Sequence, residues 1–362
     1  MIGLVVNPIA GLGGSVGLKG TDGMVEEALR RGAVPRAPER AALAVAQLAD
    51  DVPIACAAGA MGEASVVAAG RTPALVVGDD RADASTAADT RAAVRALADA
   101  GAELILFAGG DGTARDVCAE LGESLPALGI PAGVKIQSAA FAESARRGGE
   151  LAQAWLTGRR RERPAEVVDL DDGGVRDGRV GPRLYGTLLV PLGPGLVASA
   201  KAASHDEDPA AVNGIAARIA ERARRGTVLL GPGTTVAAIG AELDLPTTLL
   251  GVDLVRRGEL IVADGTEHDL LEALDEDGAD AVVTPIGGQG FVLGRGNQQI
   301  SPAVLRRAGI GRLTVVATPA KLAVLGGRPL LVDTGDEETD RELRGWHRLV
   351  TGYDHETVYQ VE

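Results

Sequence analysis

Aromatic side chains are nearly missing from this sequence: Phe, Tyr and Trp together make up 2% of its 362 residues. Its interior must therefore be filled by Val, Leu, Ile and Ala, in a chain that is 46% hydrophobic. Lysine is also scarce. Lys19, Lys135, Lys201 and Lys321 are the four lysines among 36 basic residues, and the others are arginine. Positive charge as a whole is outweighed, leaving a formal net charge of -14. That excludes nucleic acid as a main partner, because a phosphate backbone is held by a basic face. With only Cys56 and Cys118 there is no disulfide framework and no zinc set, which suits a reducing compartment. No apolar run reaches the ~18 residues that a membrane span needs, and Met1 leads into a strand-like run rather than a signal peptide. A cytoplasmic protein without membrane partners is expected. The four histidines are scattered and form no metal set, and no nucleophile elbow supports serine hydrolysis.

What is present is glycine, small apolar residues and dispersed acid. Fifty glycines without a low-complexity tract point to tight turns and close backbone–ligand contacts rather than disorder. The acid excess runs along the whole chain and reads as a solvated surface. An acidic, Lys-poor, Ala-rich surface resembles that of proteins from salt-loving archaea, although codon bias toward Arg and Ala would give part of the same picture. The length suits two domains of ordinary size.

Apolar runs and helical patterns alternate through the first part. Ile2–Val6 reads as a buried strand entering a loop at Asn7-Pro8. Residues 23–31, 38–50 and 85–100 read as helices, with strands at 74–77 and 103–108 and a further helix over 113–121. This rhythm implies a parallel sheet covered by helices on both faces. A helix is expected over 143–157, and the charged stretch from Gly158 to Pro164 reads as a boundary. Residues 165–190 then read as strands with Gly/Asp turns. From 226 the strand–helix rhythm resumes, with strands expected at 248–252, 259–263, 280–284, 313–317 and 329–333. The resulting expectation is an α/β protein: an N-terminal Rossmann-like parallel-sheet domain over 1–140, and a second, mixed α/β domain over 141–345. Strand-like residues 346–362 would return toward the first domain.

The strongest chemical signal is Gly109-Gly110-Asp111-Gly112-Thr113, placed between an apolar strand and a helix. Glycines let the backbone approach phosphate oxygens, and amides converge at a helix N-terminus whose dipole favours anions. A carboxylate beside a phosphate site repels it, unless it accepts a proton from an attacking hydroxyl or meets Mg²⁺. Taken alone, the motif equally suits a plain corner with Asp111 as an N-cap. Two more glycine-bearing loops follow apparent strands: Asn7-Pro8-Ile9-Ala10-Gly11-Leu12-Gly13-Gly14, and Gly129-Ile130-Pro131-Ala132-Gly133-Val134-Lys135. Their order would gather all three loops on one sheet edge. Lys19 and Lys135 fall in such loops, where a compact ammonium binds phosphate as a point charge; chance retention of two lysines explains them equally well.

Together these segments resemble the superfamily of NAD kinases and diacylglycerol-type lipid kinases. Such enzymes carry an Asn-Pro-x-x-Gly loop, a Gly-Gly-Asp-Gly-Thr loop and a following Pro-x-Gly-Thr-like loop. More closely, the chain resembles ATP-NAD kinase family proteins related to the AcoX-like group, through residues 16–23, Gly109 to Asp116 and Gly294 to Pro302. The resemblance implies that Asn7, Gly109, Gly110, Gly112 and Thr113 line the nucleotide site; Gly11, Gly13, Gly14, Lys19, Gly133 and Lys135, from the same glycine-bearing loops, are further candidates for its phosphates. It implies that Asp111 is the catalytic acid/base, that ATP or polyphosphate with Mg²⁺ is the donor, that NAD is the acceptor, and that the protein is a homo-oligomer. No protein-borne metal site is assigned.

Two features of NAD kinases are not found in full: an Asn-Glu pair that grips the dinucleotide, and a Thr-Pro-Thr-Gly-Ser-Thr stretch. Gly231-Pro232-Gly233-Thr234-Thr235 stands as a substitute, with hydroxyls at a helix start suited to phosphate or ribose; an ordinary N-cap turn is the alternative. Asn297, Gln298 and Gln299 present donors and acceptors suited to a base, ribose or carboxamide, or else close their own loop. Asp253, at a strand end, suits ribose or a surface turn. A polyol or sugar kinase, or a non-catalytic NAD sensor, remains open beside the NAD kinase reading. A lipid kinase is disfavoured by the acidic composition and the lack of a basic amphipathic helix.

Overall fold

The computed structural model describes residues 1–12, 16, 25–79, 85–132, 136–158, 160–170, 182–193, 209–285 and 290–362. Residue contacts divide the chain into two compact units. The first holds the described residues up to 193 apart from Val16 and 30–33, which go with the second unit and residues 209–362.

Along the first part run β1 (Ile2–Val6), α1 (Val25–Arg30), α2 (Ala37–Val45), β2 (Ile54–Ala57), α3 (Glu63–Ala68), β3 (Leu75–Val77) and α4 (Ala87–Asp99). Then come β4 (Leu104–Gly109), α5 (Asp111–Leu121), β5 (Ala127–Pro131), α6 (Ala145–Thr157), β6 (Glu162–Leu170) and β7 (Pro182–Pro191). The first five strands form a parallel sheet in the order β3-β2-β1-β4-β5. Helix α4 starts at a capping box in which Thr86 accepts from the Asp89 amide and the Asp89 side chain accepts from the Thr86 amide. Alternation along the strands separates two faces. Ile2, Leu4, Val6, Leu104, Leu106, Leu128 and Ile130 share one core with Ala41, Ala44, Leu151 and Trp155 of the covering helices α2 and α6. On the other face, Phe107 meets Phe141 edge to face at 5.3 Å, pairing two of the three phenylalanines.

Helix α6 and the β6–β7 hairpin lie beyond residue 140, yet they belong to the first unit. Small residues bring α6 against α2: a Cβ added to Gly149 would lie 2.1 Å from the Ala44 carbonyl oxygen. The break in contacts therefore falls well after the boundary expected at 140.

The second unit comprises α7 (Pro209–Arg225), β8 (Thr227–Leu230), α8 (Thr234–Glu242), β9 (Asp253–Arg256), β10 (Glu259–Val262), α9 (Glu267–Ala273), β11 (Asp280–Val283) and β12 (Phe291–Leu293). It continues through α10 (Pro302–Ala308), β13 (Leu313–Val315), α11 (Pro319–Val324), β14 (Leu331–Val332), α12 (Glu337–Leu343), β15 (Gly345–Val350) and β16 (Glu356–Val361). Its main sheet has the order β10-β9-β8-β11-β13, with β8, β11 and β13 parallel and β9 and β10 antiparallel. Leu229, Leu254, Ala281, Val283 and Val315 face one core, while Val228, Leu230, Val255 and Val282 face the other. The C-terminal hairpin β15–β16 packs within this unit, placing Leu349 and Val361 in the first of these cores.

The strand expected at 248–252 is displaced. Residues 248–252 form a loop, and the strand begins at Asp253. The buried Asp253 carboxylate accepts from the Thr248 amide at 2.7 Å, the Thr248 hydroxyl at 3.0 Å and the Asp264 amide at 2.9 Å. That side chain folds the preceding segment back on itself, and its lone pairs serve the fold rather than a ribose.

Candidate active site

In a parallel sheet, ligands gather where strand order reverses, beyond the carboxyl ends of the strands. Here that place lies between β1 and β4, neighbours from which the chain winds outward in both directions. The loop after β1 is tied to this edge by the Asn7 amide, which donates to the Ala108 carbonyl at 2.9 Å. The Asn7 side chain donates to the Thr113 hydroxyl at 3.1 Å, so the first loop is latched onto the first turn of α5. The third loop joins them: the Ala132 amide donates to the Gly109 carbonyl at 2.9 Å. Gly11 completes the contact in a left-handed conformation (φ 81°), pressed on Ala132 so closely that a Cβ would stand 1.9 Å from its carbonyl oxygen. The three loops thus meet on one edge.

Asp111 sits in the middle of them, as the first residue of α5. Its cap residue is Gly110, and no side chain caps the helix, so the plain N-cap reading of Asp111 does not hold. Gly109 is needed for a different reason, since a Cβ there would lie 2.2 Å from the Thr113 hydroxyl oxygen. The Asp111 carboxylate accepts from the Gln137 amide at 2.7 Å through one oxygen and from the Ser138 amide at 3.0 Å through the other. Ser138 is itself anchored: its hydroxyl donates to the Val168 carbonyl at 2.9 Å and accepts from the Val168 amide at 3.0 Å. Burial pushes the Asp111 pKa above the ordinary carboxylate value; the hydrogen bonds from Ser138 and Gln137 oppose that rise, and the Asp169 carboxylate adds to it. Asp169 lies on β6, paired with Arg115 at 2.9 Å, and the Arg115 guanidinium rests over the Tyr185 ring at 5.5 Å.

A pH effect follows from this arrangement. A base works only above its pKa, so with Asp111 in the role of base kcat/KM is expected to fall as pH drops through its raised value. Asp169→Asn removes a like charge that raises that value. The acid limb of the pH–rate profile is therefore expected to move to lower pH, and a limb that stays in place or moves upward would contradict the coupling.

The other residues singled out in the sequence divide clearly. Gly13, Gly14, Lys19, Gly133 and Lys135 lie outside the described residues. In the second unit, Gly231 and Gly233 form the turn between β8 and α8; Thr234 is exposed at the helix start and Thr235 is fully buried. Asn297 is buried, and it closes its own loop by accepting from the Gly294 amide at 3.0 Å and donating to the Val292 carbonyl at 2.8 Å. Gln299 is buried and Gln298 half-buried. Sequence reasoning missed Gln137, Ser138, Arg115 and Asp169, since nothing in their residue types or spacing links them to Asp111. Both cysteines are buried and free, and burial pushes the Cys56 thiol up to about 12, which leaves it protonated and inert. Among the described residues no group of three or more His, Cys, Asp or Glu side chains stands ready to hold a metal.

Comparison with known families agrees with this layout. The ATP-NAD kinase N-terminal domain matches residues 2–159 and the ATP-NAD kinase C-terminal domain matches residues 226–361. No curated protein and no solved structure matched the chain. The two domain matches cover most of the sequence in the expected order, and the chain is a kinase of the ATP-NAD kinase family.

Proposed function

We propose that this kinase transfers the γ-phosphoryl group of ATP, or a unit of polyphosphate, to the 2′-hydroxyl of the adenosine ribose of NAD. The new bond joins the ribose oxygen to phosphorus, the bond to the bridging oxygen of the donor breaks, and the hydroxyl proton passes to Asp111. The observation that carries this reading is the seating of the Asp111 carboxylate among three glycine-bearing loops by two amides. An ionised carboxylate offers about four acceptor positions, so the two amides leave room for a substrate O–H. Burial makes the group a stronger base than a surface aspartate.

Phosphoryl transfer depends mainly on positioning and charge stabilisation. Asn7, Gly11, Gly109, Gly110, Gly112 and Thr113 would supply the cradle, together with the uncapped first turn of α5. Mg²⁺ commonly reaches such sites held by substrate phosphates and one or two carboxylates. The described residues fit that mode, with Asp111 the adjacent carboxylate, and they build no resident cage. Bound in this way, the ion would neutralise charge on the transferred group. The same reading has the enzyme working in the cytoplasm as a homo-oligomer on small molecules; no described helix is long and apolar enough to cross a membrane.

A polyol or sugar acceptor is the second reading, favoured by the missing Asn-Glu pair. A product assay with ATP or polyphosphate across NAD, NADH and small polyols, at low and high salt, separates the two. NADP formation is the expected result. Phosphorylation of a polyol with no NADP formed would move the assignment to the second reading.

A further inference from the structure

Asp111 belongs to a circuit of bonds that closes on its own helix. From its carboxylate the path runs to the Ser138 amide at 3.0 Å, and from the Ser138 hydroxyl to the Val168 carbonyl at 2.9 Å. The next residue along β6 is Asp169, whose Oδ2 accepts from Arg115 Nη1 at 2.9 Å. Arg115 stands four residues after Asp111 on α5, one turn away on the same face. The ion pair lies over the first turn of that helix: a Cβ added to Gly112 would stand 3.8 Å from Asp169 Oδ2 and 4.0 Å from Arg115 Nη2. The guanidinium also rests on the Tyr185 ring of β7 at 5.5 Å, and the Cys118 thiol donates to the Thr187 carbonyl at 3.5 Å. Helix α5 is therefore fastened to both strands of the β6–β7 hairpin, close to the proposed base.

We propose that Arg115 and Asp169 are positioning residues for Asp111: their ion pair fixes the first turn of α5 against the Ser138 amide, and so sets where the carboxylate meets a hydroxyl. The proposal rests on the reading of Asp111 as the base. Stability alone gives the pair little purpose, because its side chains are 35% and 19% exposed, and a part-exposed ion pair contributes little to folding. It also carries a cost, since it sets a second carboxylate beside Asp111, whose charge disfavours ionisation of the first. The planar guanidinium suits the place better than an ammonium would: its edge bonds Asp169 while its face lies on an aromatic ring. Each member of a closed circuit is restricted through all the others. Cutting it frees the helix turn to shift, while the Gln137 amide still holds the other carboxylate oxygen at 2.7 Å. A displacement of about 1 Å at a reacting group can cost about a hundredfold in rate, so the effect falls on turnover rather than on substrate binding.

The test is steady-state kinetics of the full chain with ATP and NAD, at a pH where the parent rate is level. Arg115→Met and Asp169→Ala are each expected to lower kcat by about tenfold or more, with both KM values little changed. The double variant should fall no further than either single one, because two cuts open the same circuit. It also leaves neither charge of the pair behind, and so answers the question if a single variant folds poorly. Arg115→Lys keeps the charge and should recover part of the loss. In an Asp111→Asn background Arg115→Met is expected to change nothing further, since no base is left to aim. A merely structural pair would lower kcat by the same factor in both backgrounds, or lower the melting temperature with kcat unchanged; either result would overturn the proposal, as would additive losses in the double variant. Asp111→Asn alone reports on the base. A collapse of turnover there, with normal turnover in Arg115→Met, would refute the positioning role and leave the base in place. The circuit does not depend on which acceptor is used, so the same series reads equally well with a polyol in place of NAD.

Discussion

Asp111→Asn is expected to lower turnover by roughly 10²–10⁴-fold, the range for losing a positioned acid/base group, while nucleotide binding persists. The side chain keeps its shape and its place at the head of α5, but it can no longer take a proton from a hydroxyl. Its seat also changes in a way that can be worked out. The carboxylate accepts from two amides, one through each oxygen. An asparagine has a single oxygen for these two donors, so its own NH₂ must face one of them. The unsatisfied donor costs about 1–3 kcal/mol, offset in part by removing a buried charge. The pKa sign agrees: a carboxyl raised in the folded state favours folding most at acid pH, and that contribution is lost as pH rises through its folded value. At neutral pH the fold therefore loses little when the charge is removed. Steady-state kinetics and nucleotide titration of the variant decide the matter, and near-normal turnover would remove Asp111 from the chemistry.

Gly11→Ala is the second substitution with a large expected effect. A left-handed backbone strains an alanine by about 1–3 kcal/mol, and here the new methyl also meets the Ala132 carbonyl oxygen, which cannot rotate away. Gly32 provides the control, because it has the same φ of 81° and nothing within 4 Å of an added Cβ. Gly32→Ala should show the backbone strain alone. Gly11→Ala should lose more than about 3 kcal/mol, a fall in melting temperature of roughly 5–10 °C, together with most of the activity, because the loops around Asp111 must part. Equal melting points and equal turnover in the two variants would show that the close approach of the loops is unimportant.

These expectations rest partly on features that were legible in the sequence and partly on features that were not. The parallel sheet was legible because β1 and β4 are continuous apolar runs ended by Asn-Pro or glycine, and because amphipathic helices such as α4 separate the strands. The gathering of three glycine loops followed from that alternation. The seat of the carboxylate did not: Gln137 and Ser138 act through backbone amides, which any residue possesses. The Arg115–Asp169 pair joins positions 54 apart in sequence, and no local period reports such a contact. Amide-rich Gly294–Ser301 suggested ligand recognition, yet Asn297 serves its own loop, since residue type alone cannot tell a ligand contact from a satisfied backbone. Helix α7 passed unnoticed although Ile215, Ile219 and Ala223 repeat at helical spacing and are buried, because glycine and arginine break up its apolar stripe.

The anchoring of Ser138 has a consequence for cooperativity. The serine that seats the Asp111 carboxylate is gripped on both sides by Val168, and its neighbour Ala139 donates to the Glu166 carbonyl at 2.9 Å. The β6–β7 ribbon is thus the foundation on which the Asp111 carboxylate is seated. Any sub-global opening that peels this ribbon away must also release the carboxylate from its amides. With Asp111 as the proposed base, catalytic competence and closure of the ribbon are expected to appear and vanish together, as one foldon.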